Sequence, residues 1–277
     1  MTVDVSQRRA LVFTPMERSR EVIVDAAVRA DQLGFEAVVV PEGWGFDASV
    51  VLAEIALRTE RIHLVSGIMS VWGRSPATMA MAAATLSDLS GGRFSIGLGS
   101  STPILAERFH GQRFTAPSAR LDHTAELVRS LLDGDAAPSI DGTAGLRLSS
   151  PPSAPVPLWI AGLGPRSVDV ARRRADVWFP ALVPLEHLAE VADELLGPAS
   201  SRPAVACGPL IAPGVDLSAR EAASRGLVGW YLTGMGRLYG DLVAVRGDPL
   251  EDISILEQVD AVIKGGLVFK APPGTTR

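Results

Sequence analysis

The sequence is poor in cysteine and lysine. Cys207 is the only cysteine in 277 residues, so the chain can form neither a disulfide framework nor a zinc site built from cysteines. Nearly all of its basic residues are arginines, and both lysines, Lys264 and Lys270, lie close to the C-terminus. The end of the chain therefore differs in composition from the rest.

Excess positive charge, a secretory signal and a membrane span are also absent. The formal net charge is −5, which excludes a basic surface for nucleic acid or an anionic membrane. Residues 1–9 carry charge but no apolar signal-peptide core, and no run reaches the roughly 18 apolar residues of a membrane span. We therefore expect a cytoplasmic protein with no nucleic-acid or membrane partner.

Short apolar, β-branched runs alternate with longer segments of helical period. Because strands separated by helices form right-handed βαβ units, this pattern predicts a parallel sheet. The expected fold class is α/β, a TIM (β/α)8-type barrel, and the count of seven good strands leaves open an incomplete barrel. The candidate strands are residues 10–13, 36–41, 61–67, 93–98, 156–162, 176–180 and 203–211.

The connections between these strands carry boundary signals. Asp47 is expected to cap the helix that follows it, and Pro76 opens another helix at a position where its missing N–H costs nothing. Residues 135–157 contain five prolines and no long apolar run, which predicts a surface excursion with a small hairpin.

In a barrel of this type the loops after the strands form the reactive face. Glu42 follows the second strand and would point into the barrel mouth, with Trp44 and Phe46 as apolar walls. A simple turn is the alternative interpretation of this segment. Arg74, after the third strand, would pair either with an anionic ligand or with a nearby carboxylate.

Small residues follow the fourth and fifth strands. Residues 99–101 (GSS) would let a ligand approach the backbone, although such loops are also common in tight turns. Residues 162–166 (GLGPR) lead into a helix whose free N–H groups and dipole suit a phosphate. The P-loop ending and the full dinucleotide fingerprint are both missing.

The histidines indicate no metal site, because none of them has the H-x-H or H-E-x-x-H spacing of metal ligands. A Ser-His-Asp triad also lacks its G-x-S-x-G signature. His63 and His123 are expected to be packed or solvated, whereas His110 lies after the fourth strand and could face the barrel mouth.

Taken together, these segments resemble the luciferase-like flavin- and deazaflavin-dependent oxidoreductases. The resemblance spans about residues 9–239 and follows the order of motifs in that family. The matching stretches are 38–47 (VVVPEGWGFD), 71–86 (VWGRSPATMAMAAATL), 90–100 (SGGRFSIGLGS), 120–134 (RLDHTAELVRSLLDG), 158–166 (LWIAGLGPR) and 230–239 (WYLTGMGRLY).

The resemblance implies a TIM barrel that binds coenzyme F420, or alternatively FMN, in its mouth. It implies a non-proline cis peptide at Gly67-Ile68 that supports the cofactor ring, and a phosphate site at the helix start after the fifth strand. The residues that it assigns to the cofactor are Gly67, Ile68, Gly99, Ser100, Ser101, Ala161, Gly162, Gly164, Pro165 and Arg166.

Glu42 and His110 are the candidates for proton transfer. Several relatives that oxidise sugars or alcohols have a histidine just after the second-strand carboxylate, and this chain has Gly43 there. The implied activity is that of an oxidoreductase or monooxygenase on a small organic substrate. A truncated, inactive relative that binds cofactor or has only a structural role is the alternative.

The last part of the chain departs from this family. Residues 240–270 resemble the closing segment of metal-dependent amidohydrolases, with a β-hairpin around Gly265-Gly266, but the metal ligands of that family are missing. We therefore expect a barrel domain over 1–239 and a tail over 240–277. A tail strand, at 242–245 or 259–263, is expected to fill the eighth barrel position.

A homodimer is a further expectation, since luciferase-like proteins often pair through helices flanking the early strands. Met79, Met81, Leu86 and Leu89 would supply an apolar surface there, or would be the buried face of their own helix.

Overall fold

The computed structural model describes residues 9–14, 19–139, 142–180, 183 and 188–208. Short stretches at 216–218, 221–222 and 225–226 are also described, and in the tail only the backbone of 243–244, 261–264 and 267–270. His187, the 230–239 motif and the expected boundary at 239–240 lie outside the described residues.

A parallel sheet organises the chain. Its strand order is β1-β2-β3-β5-β6-β7-β8, with β4 beside β5, and every described pairing in it is parallel. All seven sequence-predicted strands are present. The strands are β1 (Ala10–Val12), β2 (Ala37–Val40), β3 (His63–Ser66), β4 (Met69–Ser70), β5 (Phe94–Gly99), β6 (Leu158–Ala161), β7 (Val177–Trp178) and β8 (Ala204–Val205).

Helices connect the strands, and their boundaries follow the expected chemistry. The Asp47 carboxylate accepts hydrogen bonds from the N–H groups of Ser49 and Val50, and Ser75 caps the helix that Pro76 opens. The helices are α1 (Arg20–Gln32), α2 (Ala48–Arg58), α3 (Pro76–Leu89), α4 (Pro117–Leu132), α5 (Pro165–Arg174) and α6 (Leu188–Leu196), and a π-helix spans Ile104–Phe109.

The hydrophobic core fills the space between the sheet and these helices. It includes Val38, Leu64, Phe94 and Ile96 from the strands, all fully buried. Of the residues expected at a dimer surface, Met79 and Leu86 belong to this core, whereas Met81 and Leu89 are exposed. No helix in the described residues combines the length and apolarity needed to cross a bilayer.

The barrel is incomplete in the described residues, because no described pair joins β8 to β1. The tail contains β9 (Val243–Ala244), β10 (Ala261–Lys264) and β11 (Leu267–Lys270). These strands form a separate antiparallel sheet of order β11-β10-β9, which confirms the hairpin around Gly265-Gly266. None of these described strands pairs with β1 or β8. That a tail strand fills the eighth barrel position therefore stays a prediction.

The excursion after α4 also differs from expectation. The described part of residues 135–157 contains no strand, and a single backbone hydrogen bond, from the Ala137 N–H to the Leu146 carbonyl (2.8 Å), crosses it. A hairpin therefore does not form there, since frequent prolines remove the N–H groups that a ladder needs.

A buried carboxylate joins α1 to the turn before β3. The Asp31 side chain accepts hydrogen bonds from the backbone N–H groups of Glu60 (3.2 Å), Arg61 (3.1 Å) and Ile62 (2.7 Å). Burial alone would raise the pKa of Asp31, but these hydrogen bonds outweigh it and hold the pKa below its ordinary value. The ionised form therefore stabilises the fold.

We expect Asp31→Ala to lower the free energy of unfolding by about 1–3 kcal/mol, because three backbone N–H groups, one buried and two partly buried, lose their acceptor. The contribution of Asp31 is fully present above its unfolded pKa of about 3.9 and is lost as the pH falls through the lower folded value. Urea unfolding at pH 7 and pH 3 measures both effects. Asp25→Ala, an exposed ion-pair residue on the same helix, is the control and should change stability by less than about 0.5 kcal/mol. An equal loss in both variants would contradict the prediction.

Candidate functional site

The strand register brings three of the loops together at one edge of the sheet. Ser70 pairs with Gly99, and Gly99 pairs with Ala161, so these residues form one row across β4, β5 and β6. Because the strands are parallel, this row lies at their carboxyl ends, where ligands bind in α/β folds. The segments assigned to the cofactor by resemblance therefore start from neighbouring positions.

The peptide between Gly67 and Ile68 is cis, as the family resemblance implies. It separates β3 from β4, both of which pair with β5. The Ile68 side chain then lies against Gly99, where an added Cβ would come within 2.8 Å of its Cδ1. A Cβ on Gly97 would meet the Ser66 carbonyl. Both glycines thus make room for protein atoms, whereas the expectation from the sequence was that small residues here make room for a ligand.

The N-terminus of α5 offers free donors beside β6. Gly164 is the N-cap and supplies no side-chain hydrogen bond, and Val168 is the first residue whose N–H bonds back into the helix, to the Gly164 carbonyl (3.0 Å). The N–H groups of Arg166 and Ser167 are therefore left for a ligand. Because these donors lie at the positive end of the dipole, the helix start suits a phosphate.

The remaining contacts keep this helix start in place. The Trp178 indole N–H donates to the Gly162 carbonyl (2.8 Å), and the Ser167 hydroxyl donates to the Gly164 carbonyl (2.9 Å). Any side chain on Gly162 would collide with Ser167. Gly162 thus allows the close turn between β6 and α5.

The Arg166 side chain is exposed. With Pro165 it lines a groove of about 410 Å³ between α4 and α5, to which Asp122, Asp169 and Arg173 also contribute.

Glu42 lies in an ion pair at the mouth. The Arg74 guanidinium donates to the Glu42 carboxylate through Nε (3.0 Å) and Nη2 (2.5 Å), and Nη2 also lies 2.6 Å from an Asp47 oxygen. The side chains of Arg74 and Glu42 are only 16% and 10% exposed. Of the two alternatives for Arg74, the structure therefore shows pairing with carboxylates.

Charge and hydrogen bonding stabilise the ionised forms of Arg74 and Asp47 in this Glu42–Arg74–Asp47 cluster. Hydrogen bonds to Glu42 raise the pKa of Arg74 above its ordinary value, even though burial opposes the shift. Burial would raise the pKa of Asp47, but the hydrogen bond from Arg74 more than compensates and lowers it. Arg74 and Asp47 therefore stay charged through the neutral range, and the cluster joins the β2–α2 loop to the β4–α3 loop.

The second proton-transfer candidate lies beside the same segment. His110 follows the π-helix, and its ring lies so close to Gly73 that an added Cβ there would come within 2.8 Å of Cε1. Glu42 contacts Arg74 and His110 contacts Gly73, so adjacent residues of one loop bring both candidates together. Trp44 and Phe46, expected as apolar walls, are partly exposed at this end of the sheet.

The other described histidines take no part in the site. The ring of His63 shares a hydrogen bond with the Ser95 hydroxyl (2.7 Å), and burial lowers the pKa of His63. His123 is exposed on α4. Within the described part of the chain, no group of three or more His, Cys, Asp or Glu side chains could hold a metal ion.

Trp72 and Arg120 were not identified from the sequence as site residues. The Trp72 indole N–H donates to the Ser100 carbonyl (2.6 Å), and Arg120 lies over the Trp72 ring. Arg120 lies in the first turn of α4, where the helix dipole disfavours a positive charge. This unfavourable position is the feature of the sequence that could have indicated a role for Arg120.

Comparison with protein-family models gives a match to the luciferase-like monooxygenases over residues 9–250. A Mycobacterium tuberculosis protein named as a coenzyme F420-dependent oxidoreductase is 35% identical over 167 residues, 54% of this chain and 48% of the relative. The 5,10-methylenetetrahydromethanopterin reductase of Archaeoglobus fulgidus is 31% identical over 130 residues, 46% of this chain and 38% of the relative. The chain thus spans about half the length or less of these curated relatives.

Solved structures share the fold. An F420-dependent secondary alcohol dehydrogenase in complex with an F420–acetone adduct superposes with a TM-score of 0.71 at 18% identity, covering 90% of this chain and 80% of that one. The oxygenating constituent of 3,6-diketocamphane monooxygenase from Pseudomonas putida, in complex with FMN, gives 0.63 at 18% identity, covering 82% and 76%. At such identities the likeness concerns the fold alone.

The parallel half-barrel and the family match together define the class of protein. The chain belongs to the luciferase-like monooxygenase family. The match extends past residue 239, where the resemblance was expected to end.

We expect Arg74→Met to cost about 3 kcal/mol in unfolding free energy, because Glu42 is left buried without a partner. Glu42→Gln should lower the free energy of unfolding by less, because Arg74 retains its ion pair with Asp47. In Arg74→Met, the pKa of Asp47 should rise toward its ordinary value, which carboxyl NMR titration measures. Equal costs for the two variants, or an unchanged Asp47 titration, would show that the cluster does not behave as a unit.

Proposed function

We propose that this protein binds coenzyme F420, with FMN as the alternative, at the carboxyl ends of β3 to β6. It then transfers hydride to or from a small organic substrate in the cytoplasm. The observation that carries this proposal is the row Ser70–Gly99–Ala161, which joins the cis peptide segment to the uncapped start of α5. The F420-dependent relatives support F420 over FMN.

The residues present fit the phosphate of either cofactor. The N–H groups of Arg166 and Ser167 are unbonded within the helix, and Gly164 places no side chain in front of them. The segments assigned to the remainder of the cofactor are Gly67-Ile68, residues 99–101 and Ala161-Gly162. In the proposal, Pro165 contributes its preset backbone angle at the first helical position and no donor.

When bound, F420 supplies the carbon that accepts or donates the hydride. The protein's part is placement, exclusion of water and movement of a proton. We assign the proton transfer to His110, whose ring lies beside Gly73. Glu42 was the other candidate, but its hydrogen bonds to Arg74 favour a role in holding the mouth loops together. Trp44 and Phe46 supply the apolar surface that excludes water.

An inactive relative is the second candidate function. It is favoured by the open edge between β1 and β8 among the described strands, since a substrate pocket in a barrel draws residues from all sides of the mouth. Such a protein would bind cofactor without turning it over.

We expect Gly164→Asp to abolish cofactor binding while leaving the fold intact. Gly164 has an extended backbone (φ −72°, ψ 151°), and a Cβ there would come no closer than 3.8 Å to Ser167, so aspartate can cap the helix. Its carboxylate would occupy the donors proposed for phosphate. Fluorescence titration with oxidised F420 and, separately, FMN measures the dissociation constant, and thermal melting checks the fold.

Gly164→Ala is the matched control, because it adds the Cβ without the charge and should bind cofactor nearly as the wild type does. If Gly164→Asp melts normally and binds as tightly as Gly164→Ala, the phosphate does not lie at this helix start. If the folded wild type binds neither cofactor, the proposed function fails. Binding without reduction in a substrate screen would favour the inactive relative.

We also propose that the protein forms a homodimer through α2 and α3. Leu57 on α2 and Met81 on α3 are 71% and 59% exposed, although both are apolar and their helices are neighbours. Leu57→Glu with Met81→Glu should convert a dimer to a monomer in light scattering. Leu146→Glu, at a still more exposed leucine in the excursion, should leave the mass unchanged. A monomeric wild type would overturn the proposal.

A further inference from the structure

Trp72 connects two of the loops at the candidate site. Only 4% of its surface is exposed, and its ring packs against Phe114 with centroids 5.2 Å apart. Its indole N–H donates to the Ser100 carbonyl at 2.6 Å, across 28 residues of sequence. The N–H of Val71 donates to the Gly99 carbonyl at 3.2 Å. Two consecutive residues of one loop therefore hold two consecutive residues of the proposed cofactor loop, 99–101.

The held loop has an unusual backbone. Ser101 has φ 54°, the left-handed region, which residues other than glycine seldom adopt. Such a conformation persists only where the surroundings determine it. The Trp72 and Val71 hydrogen bonds end at the two residues immediately before Ser101, so they are placed to impose this turn.

Arg120 contacts both Trp72 and the residue before it. Its Cζ lies 4.5 Å from the centroid of a Trp72 ring, and its Nε donates to the Val71 carbonyl at 2.9 Å. Arg120 is also the first residue of α4 whose N–H bonds within the helix, to Ala116 (3.0 Å). A cation at that end of a helix opposes the dipole, so its place there is explained by the contacts with residues 71 and 72.

We propose that Arg120 is a positioning residue that acts through Trp72 to hold residues 99–101 in the conformation that receives the cofactor. The inference rests on the proposed function in so far as it names the cofactor. It gives a role to Arg120 on α4 and to Trp72 in the β4–α3 loop, neither of which belongs to the segments assigned to the cofactor. Lysine cannot replace Arg120, because it has no planar group that lies over the indole while an N–H in the same plane donates to the Val71 carbonyl.

The first measurement uses the protein without cofactor. Hydrogen exchange of the amides at 100–102 should be faster in Arg120→Gln, Arg120→Lys and Trp72→Phe than in the wild type, while amides of α2 exchange at unchanged rates. Arg113→Gln, an exposed arginine in the loop before α4, is the control and should leave the exchange unaltered. Unchanged exchange at 100–102 in all three variants would overturn the proposal, whether or not any cofactor binds.

The second measurement is the titration with oxidised F420 and with FMN. Arg120→Gln and Trp72→Phe should each raise the dissociation constant about tenfold, and the double variant should raise it little further, because one residue acts through the other. Additive effects, or an unchanged constant in either folded single variant, would contradict the proposed route. A merely structural role would lower the melting temperature and spread faster exchange over α4 without this non-additivity.

The two proposals fail differently. If the wild type binds neither cofactor but Arg120→Gln still speeds exchange at 100–102 alone, the proposed function is wrong and the control of the loop by Arg120 stands for another ligand. If the wild type binds F420 and Arg120→Gln binds it equally well, the proposed function stands and the role of Arg120 is refuted.

Discussion

Parallel pairing is the constraint on which the rest of this structure depends. Since the strands from β2 to β6 run in the same direction, every connection between them except the two-residue link from β3 to β4 crosses back over the sheet, and the loops after the strands collect at one edge. The row Ser70–Gly99–Ala161 is a direct consequence of that register. Shifting one strand by a single residue would turn the opposite set of side chains toward the core and dismantle the row.

Most of the glycines at this edge make room for other atoms of the protein. Gly97 and Gly99 lie under the Ser66 carbonyl and the Ile68 side chain, and Gly73 lies under the His110 ring. The glycine content of such a loop therefore does not by itself indicate that a ligand approaches the backbone. In contrast, a Cβ on Gly164 would make only an ordinary contact with the Ser167 hydroxyl (3.8 Å), and the helix start has no side-chain cap, which are the properties that a phosphate site needs.

Local chemistry made the strands, the caps and the cis peptide predictable from the sequence, the last through resemblance to a family. Asp47 and Ser75 act on N–H groups two or three residues away, so their roles are visible in sequence. The partners of Arg74 and Arg120 lie 32 and 49 residues away, and nothing in the spacing specifies them. The hairpin of the tail was likewise predictable because its two strands are adjacent in sequence, whereas the partner of a strand that lies far away in sequence depends on tertiary contacts.

The open sheet and the candidate site occupy different parts of the chain. Every contact that defines the site lies between residues 42 and 178, on strands β2 to β7 and their loops, whereas the closure that is missing among the described strands concerns β1 and β8. In the proposed function, cofactor placement depends on the first set of contacts, and a substrate pocket depends on loops from the whole mouth. Under that proposal, binding of cofactor and turnover of substrate are separable properties, because the contacts proposed for the cofactor do not require the loops that would shape the substrate pocket.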